Sequence, residues 1–569
     1  MTVERQDDDA AGDRPGSAPE GPSAPTANLT ASLTANPPPR DPPADLEWGA
    51  FSDEPPWVLD PSRLSWRRDL ATLRAVTISR TEGLARRRRL PPLGATARVA
   101  ATIVPAVAAW YLVDRGLGAA RSRAGLSRRL RRAFERLGPT YIKLGQILSA
   151  GEGVFPDELV SEFRLCRDQV PAEPFATVRA TVEADLGRPL DAVFSEFAEV
   201  PIAAASIAQV HAATLRTGEQ VVVKVQRPDI DRQVRRDLSA MGWLAPLLVG
   251  RIPVAALANP PALVDVFAAT IGEELDFRLE ADNMLDVAAV IANSAPAGER
   301  RALVVPRPHP ELVTRRVLVM ERLTGFAWGD AAEMRAAGID TAKVLSAALL
   351  SFLEGLVLFG VFHGDLHAGN LLVCFDGRVG LLDFGITGRL DESGRRGLLR
   401  LVMSTAANDV RAQVLAMRDL GALPSDVDVD GVIADLRLDQ PVRDPTSMSA
   451  EELTREIREM TKALLDYGAR MPKALMLFVK DMVFIDHAMA TMAPDVDVLA
   501  QTVAILAHLQ TRHGDRIAQD LGLAAGSLPA VELGGIRSSL GLTPDVEHLT
   551  HRELQARRRL IRKRLAHRH

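Results

Sequence analysis

The 569-residue chain has only two cysteines, Cys166 and Cys374. Two thiols cannot build a disulfide framework or a four-thiolate zinc site, and their scarcity suits a reducing compartment. No sign of charge dominates: 68 Lys+Arg stand against 73 Asp+Glu, net −5. That balance argues against a globally basic nucleic-acid binder, so no nucleic-acid partner is expected. The N-terminus, MTVERQDDDA, lacks the basic start and apolar core of a secretory leader. The longest early uncharged run, Val99–Val113, has 15 residues and contains Pro105. A helix needs roughly 20 apolar residues to cross a bilayer. A buried helix, an interfacial helix and a short anchor compete for this run, and the first two are preferred over a span. There is no internal repeat of fixed period. Hydrophobic residues at 47% and charged residues at 25% exclude a wholly disordered, collagen-like or fibrous chain.

Twelve of the 37 prolines fall at or before Pro61. Residues 1–60 therefore read as a disordered Pro-rich tail, too poor in apolar surface to offset its ordering entropy. The next segment, 61–136, reads as basic, helical and membrane-proximal. Its residues 62–136 hold 18 Arg, including Arg86–Arg89, against four acidic residues, a local charge of +14. Positive charge beside an apolar helix suits an anionic membrane surface, and a solvated helical face is the alternative. From Gly138 to about Asp520 the chain looks continuously globular. Val221–Val225 (VVVKV) and Val317–Met320 read as strands, and Thr341–Gly360 has helical spacing and ends in Gly. His551–His569 is Arg-rich and reads as an exposed helix or tail.

The chemistry concentrates in Val361–Asn370, VFHGDLHAGN. Asp365 and Asn370 are five apart, between a helix and an apolar strand. Phosphoryl transfer needs a carboxylate to position the acceptor and an amide oxygen to help hold Mg²⁺. Asp-x-x-x-x-Asn is the spacing of a kinase catalytic loop. Eighteen residues beyond Asp365, Asp383 opens Asp-Phe-Gly at the end of a second apolar strand. A lone Asp-Phe-Gly is weak. The ordered set Asp365, Asn370, Asp383 with a strand pair between is far less probable as a chance hairpin.

Upstream, Lys224 sits inside VVVKV. An inward ammonium needs partners, because burial without them is costly; an outward Lys on an edge strand is the bland reading. Glu274 is the first candidate partner and Glu280 the second. Before Lys224, the stretch Ile202, Ala203, Ala204, Ala205, Ser206, Ile207, Ala208, Gln209, Val210 occupies the place of a phosphate-covering loop. Alanine permits close backbone approach but disfavours the positive φ that glycine allows. Lys143 and Gln146, in LGPTYIKLGQILS, share a face if helical. Taken singly, these could be a small-residue turn, a surface helix and, for Glu274-Leu275-Asp276, a charged amphipathic helix.

Together these residues resemble the UbiB family of atypical kinase-like proteins, also called the aarF-domain or ADCK group. The resemblance runs from about Leu137 to Gly388 and carries Lys-x-Gly-Gln (Lys143, Gln146), the Ala-rich loop, Lys224, Glu-x-Asp (Glu274, Asp276), Asp365, Asn370 and Asp383. It implies an α+β, bilobal protein-kinase-like fold with an N-terminal helical extension and a helical C-lobe. It divides the chain into an extension (137–200), an N-lobe (201–325), a C-lobe (326–525) and a linker with a basic tail (526–569). It implies ATP and Mg²⁺: Asn370 and Asp383 as metal ligands, Lys224 on phosphate oxygens, Asp365 on the nucleophile. Lys143, Gln146, Glu274 and the Ala-rich stretch would line the nucleotide site, with the Lys-x-Gly-Gln segment lying across it. In the family such proteins support isoprenoid-quinone synthesis at membranes.

Two departures limit protein substrates. Gly364 stands where most protein kinases have Arg, and no Ala-Pro-Glu follows Asp383. The acceptor is therefore expected to be water or a small or lipid-borne hydroxyl. The expected location is cytoplasmic, with peripheral contact to the inner face of the cell membrane. Quinone-biosynthesis enzymes and a second copy of the chain are the partners left open. The rivals are a true protein Ser/Thr kinase, a small-molecule kinase of the aminoglycoside or choline type, and a non-catalytic nucleotide-dependent lipid sensor or chaperone.

Overall fold

The computed structural model describes residues 56–60, 63–85, 90–149, 156–165, 171–248, 260–294, 301–440, 443–470 and 472–566. Most of the Pro-rich tail, the Arg86–Arg89 run and Cys166 lie outside them.

Two sheets and a small ladder organise the kinase-like region. The first sheet has the order β1 (Phe194–Phe197), β3 (Ala208–Leu215), β4 (Gln220–Gln226), β7 (Val317–Glu321), β6 (Pro308–Val313), all antiparallel, with β2 (Ala203–Ala204) paired on β3. This sheet begins at Phe194. The second has the order β5 (Leu303–Val304), β11 (Val379–Leu381), β10 (Leu371–Cys374), β8 (Gly325–Ala327), and β9 (Val361–His363) pairs with β12 (Thr387–Arg389).

Strand alternation fixes which side chains of the first sheet face the site. Val221, Val223 and Val225 of β4, with Val317 and Val319 of β7, join Val178 and Val182 of a helix over Phe175–Leu186 in a core on the outer face. Side chains alternate along a strand, so Val222 and Lys224 point the other way. There Leu318 and Met320 pack with Phe277 and Met284 in the main core.

Helices that bear on the site or the termini are α1 (Leu70–Ala85), α2 (Leu93–Val113), α3 (Ala119–Leu137), α4 (Pro139–Ser149), α5 (Asp157–Arg164), α6 (Phe175–Leu186), α7 (Ile230–Leu248), α8 (Pro260–Glu274), α9 (Phe277–Ser294), α10 (Thr341–Glu354), α11 (Glu392–Ala406), α12 (Lys473–Met492), α13 (Val498–Leu521) and α14 (His551–Ala566), with further helices between some of them. Asp340 caps α10, its carboxylate accepting from the Lys343 N–H at 3.1 Å. A π-helical turn, Gly355–Phe359, follows, and Gly360 ends it at φ 68°, the left-handed conformation that glycine adopts without strain. The Arg-rich C-terminus is not a free tail: in α14, His551 and Leu554 are buried, and Arg558 pairs with Asp486 at 2.7 Å.

The apolar run of the N-terminal segment differs from its sequence reading. Helix α2 extends six residues upstream to Leu93 and has 21 residues. Only 6% of its most apolar window is buried. The buried-helix reading is thereby corrected: Ala95 and Val99 are buried and Ile103 packs partly against the main core, while the residues beyond it are half-buried or exposed. By length and composition α2 and the Thr341–Phe359 stretch could each cross a membrane, but the latter is half buried within the kinase-like core.

Part of the +14 charge is met by acids outside the segment. Arg67 and Arg74 pair with Asp282, Arg98 with Asp237, Arg123 with Glu158, and Arg128 and Arg131 with Glu162.

Candidate active site

Two nested hairpins bring the chemistry-bearing loops together. The inner one pairs β10 with β11, turning at Gly377, whose φ is 86°. The outer one pairs β9 with β12, placing His363 opposite Thr387. Asp365 lies two residues past β9, and Asp383 two residues past β11. The Leu382 N–H donates to the Asn370 carbonyl at 2.8 Å, locking one loop to the other. Short apolar strands flanking polar loops encode this arrangement locally.

His363 fixes the start of the catalytic loop. It is 2% exposed; its Nε2 is 3.0 Å from the Leu382 carbonyl, and its Nδ1 accepts from the Asp365 N–H at 3.2 Å. Burial pushes the imidazole pKa down, so the neutral ring donates through Nε2 and accepts through Nδ1. Asn370 donates Nδ2 to the Asp365 carbonyl at 3.0 Å, leaving its Oδ1 as the atom available to a metal. Asp383 has φ 57°, a left-handed conformation that Asp tolerates better than most residues. Its Oδ1 accepts from the Gly385 N–H at 3.1 Å.

Lys224 enters from the inner face of β4. It is 2.6 Å from Glu280 and 3.1 Å from Asp383. The expected order of partners is thus corrected: Glu280, not Glu274, holds Lys224. The reason lies in the break between α8 and α9. Glu274 is the last residue of α8, and Glu280 lies in the first turn of α9, so EELDFRLEADN spans a helix junction and not one amphipathic helix. Glu274 instead pairs with Lys143 of α4 at 2.9 Å. Asp276, the other acid of Glu-x-Asp, grips Arg278 at 2.7 Å.

Lys143 also lies 3.9 Å from Asp365. The Lys-x-Gly-Gln helix therefore puts an ammonium between Glu274 and the catalytic-loop carboxylate. Gln146 is half-buried on the same helix. The Ala-rich stretch lies before β3 as a tight hairpin: Ala203 and Ala204 pair with Val210 and Gln209, and the Ala205 N–H donates to the Ala208 carbonyl at 2.8 Å. None of Ile202–Val210 has positive φ. Ser206, Ile207, Ala208 and Gln209 are buried, whereas Ile202 and Ala203 are exposed.

Two groups escaped sequence reasoning. Lys480 of α12 makes a close ion pair with Asp365, and its neighbour Asp481, fully buried, accepts the Leu366 N–H at 3.0 Å. The signal was a Lys-Asp pair inside the otherwise apolar run LMLFVKDMVF. The second is Asn283, whose Nδ2 donates to the Phe384 carbonyl at 2.8 Å while its Oδ1 accepts from Arg74 and Arg389, each at 2.8 Å. Helix α1 thereby reaches the Asp-Phe-Gly segment through one amide.

Three lysines and four carboxylates share this cleft. Burial alone would lower the Lys224 pKa; Asp383 and Glu280 outweigh it and hold the ammonium above its usual range. Lys143 is likewise held up, by Glu274, Asp365 and Asp383 against burial. Burial would raise Asp383, but Lys224 and Lys143 hold it down at about 2. Asp365 is held well below the carboxylate range by Lys480 and Lys143 despite burial. Burial pushes Asp481 well up. A fixed lysine, an ionised loop carboxylate and a facing pair of oxygen donors suit a phosphate-bearing ligand and a hard divalent cation. At Gly364, an added Cβ would lie 3.0 Å from the Gly388 nitrogen and 3.2 Å from Ile386 and Leu477 side chains. The packing there leaves no room for the arginine of ordinary protein kinases.

Comparison with known proteins points to one family. A family model described as the ABC1 atypical kinase-like domain matches residues 165–417. An uncharacterized protein of Mycobacterium tuberculosis is 36% identical over 372 residues, 64% of this chain and 74% of that one. An uncharacterized chloroplastic aarF domain-containing protein kinase of Arabidopsis thaliana is 32% identical over 408 residues, 67% and 75% of the two chains. A probable protein kinase UbiB of Xanthomonas campestris is 31% identical over 445 residues, 76% of each. With the two sheets, the paired loops and Lys224 in place, the chain belongs to the ABC1 family of atypical kinase-like proteins, the UbiB and aarF-domain group.

Proposed function

We propose that the chain binds ATP between its lobes and transfers or hydrolyses the γ-phosphoryl group, in support of isoprenoid-quinone or membrane-lipid metabolism. The observation that carries this reading is the convergence of Lys224 from β4, Asp365 and Asn370 from one loop, and Asp383 from a second loop. Lys224, steadied by Glu280, holds phosphate oxygens. Asp365, kept ionised by its lysine neighbours, orients the attacking hydroxyl or water and takes up its proton. Asp383 and the Asn370 Oδ1 would hold Mg²⁺, which when bound neutralises charge on the phosphates. The cleft supplies oxygen donors of the hard type that this ion requires. Lys143 lies over the acceptor side, which favours water or a small or lipid-borne hydroxyl over a protein side chain. The quinone assignment rests on relatives that bear the UbiB name.

The membrane part rests on α2. A helix apolar all round is normally buried in protein or lipid, yet Val104, Val107, Tyr111, Leu112 and Val113 are exposed here. An anionic bilayer surface is the proposed cover.

The test is Mg²⁺-dependent ATP turnover by the full chain, with and without anionic liposomes, beside Asp365→Asn. Turnover lost in that variant by roughly a hundredfold or more supports the assigned role; unchanged turnover overturns it. The pairing of Asp365 with Lys480 and its nearness to Lys143 favour a second reading, a nucleotide sensor that does not turn over. Nucleotide binding without hydrolysis under every condition would select that reading.

A further inference from the structure

Away from the cleft, three side chains from two helices aim at one point. Glu354 is the last residue of α10 and lies at the mouth of the π-helical turn. His508 and His513 are both on α13. The Nε2 atoms of His508 and His513 lie 3.2 and 3.0 Å from the same carboxylate oxygen, Glu354 Oε1. One ligand atom from each residue falls within 4.8 Å of the other two. The Glu354 side chain is 5% exposed, that of His513 14% and that of His508 32%.

Donors bound to one zinc-class ion at about 2.0–2.2 Å stand roughly 3–3.5 Å apart in tetrahedral or octahedral geometry. Both nitrogen–oxygen separations fall in or near that window. Two imidazoles and one carboxylate form a donor set suited to divalent transition metals. The local backbone is also unusual. Single π-helical turns are rare and recur at functional sites. Here the carbonyls at Val357 and Leu358 are taken by Arg395 at 3.1 Å and Arg516 at 2.7 Å. Those contacts fix the turn that carries Glu354 towards α13.

We propose that Glu354, His508 and His513 form a binding site for a divalent transition-metal ion of the zinc class, distinct from the cleft between the lobes. The ion would clip α13 to the end of α10, just before Gly360 and the β9 strand that leads to Asp365. Water would complete the coordination on the partly open His508 side.

The experiment is titration of the chelator-treated full chain with Co²⁺, read by its visible absorption, followed by displacement with Zn²⁺. Co²⁺ held four-coordinate by the two imidazoles, the carboxylate and one water gives an intense band at about one equivalent, whereas six-coordinate Co²⁺ on oxygen donors such as Asp383 gives only a weak one. Asp383→Asn should leave the band intact. His513→Ala and His508→Gln should weaken binding by more than about a hundredfold, since loss of an outer-shell partner alone costs 10–100-fold. His508→Gln guards against a folding artefact: a glutamine amide can still donate to Glu354 but ligates zinc poorly. A circular dichroism spectrum matching the wild type confirms that each variant is folded. No intense band, or a band that survives both histidine substitutions, overturns the proposal and leaves the three residues as a hydrogen-bonded cluster.

Discussion

At the scale of single residues, the cleft is an electrostatic device in which each charge has a partner. Lys480 is the least expected member. It acts on Asp365 and is a positioning residue, so its loss should change when the carboxylate is ionised. Asp365 is held low by Lys480 and Lys143 against burial. Removing one cation raises the carboxyl pKa, so ionisation needs a higher pH. The acidic limb of the turnover profile should therefore move towards neutrality in Lys480→Met, with at least about a tenfold loss of rate on the acid side. Lys480→Arg keeps the charge and should restore the limb. A profile that only scales down, without moving, would show that Lys480 serves the fold and not the ionisation of Asp365. Lys224 and Asp383 were legible from neighbouring sequence because each lies on an apolar strand or just beyond its end. Lys480 lies 115 residues from its partner, and no local pattern links the two.

At the scale of elements, the nested hairpins are what place Asp365 against Asp383. Their closeness depends on Gly388 in β12. An added Cβ there would fall 2.2 Å from Cζ of Phe362 on the paired strand. Phe362 is buried against Phe352, with ring centroids 5.9 Å apart, and has little space to yield. Gly388→Ala should cost about 1–3 kcal/mol of stability, the usual range for overpacking, and should lower turnover because β9 carries the catalytic loop. Urea denaturation and ATP turnover on the same preparation check both halves. Unchanged stability would mean that the ring moves aside freely. The strand pair between Asp365 and Asp383 was readable from apolar runs and a turn. The outer pair, β9 with β12, was not: three-residue strands carry too little pattern, and their register comes from the inner hairpin that zips them together.

At the scale of the whole molecule, the N-terminal helices are tied to the kinase-like core. Helix α1 touches the Asp-Phe-Gly backbone through Arg74 and Asn283, and α2 is held at its base by Arg98 and the fully buried Asp237. Val104 and Leu112 of α2 are exposed among the described residues. Val104→Asp with Leu112→Asp should leave the thermal midpoint within about 2 °C of wild type, because exposed positions contribute little to folding. The same change should cut co-sedimentation with anionic liposomes severalfold, as charge enters the apolar contact. Wild-type co-sedimentation in the double variant would remove α2 as the lipid contact.

The sequence by itself determined the fold class, the nested order of Lys224, Asp365, Asn370 and Asp383, and the absence of a catalytic-loop arginine at Gly364. These are local facts: strand alternation, loop spacing and residue size act within a few neighbours. Only the tertiary structure decided that Glu280 takes Lys224 while Glu274 takes Lys143, that several arginines of the basic segment form ion pairs, that the distal apolar residues of α2 are exposed, and that Lys480 reaches Asp365. Each of those depends on where a helix stops or what it packs against. Charge pairing at short range is settled by position to within an ångström or two, and linear spacing does not supply that precision once the chain crosses a helix break.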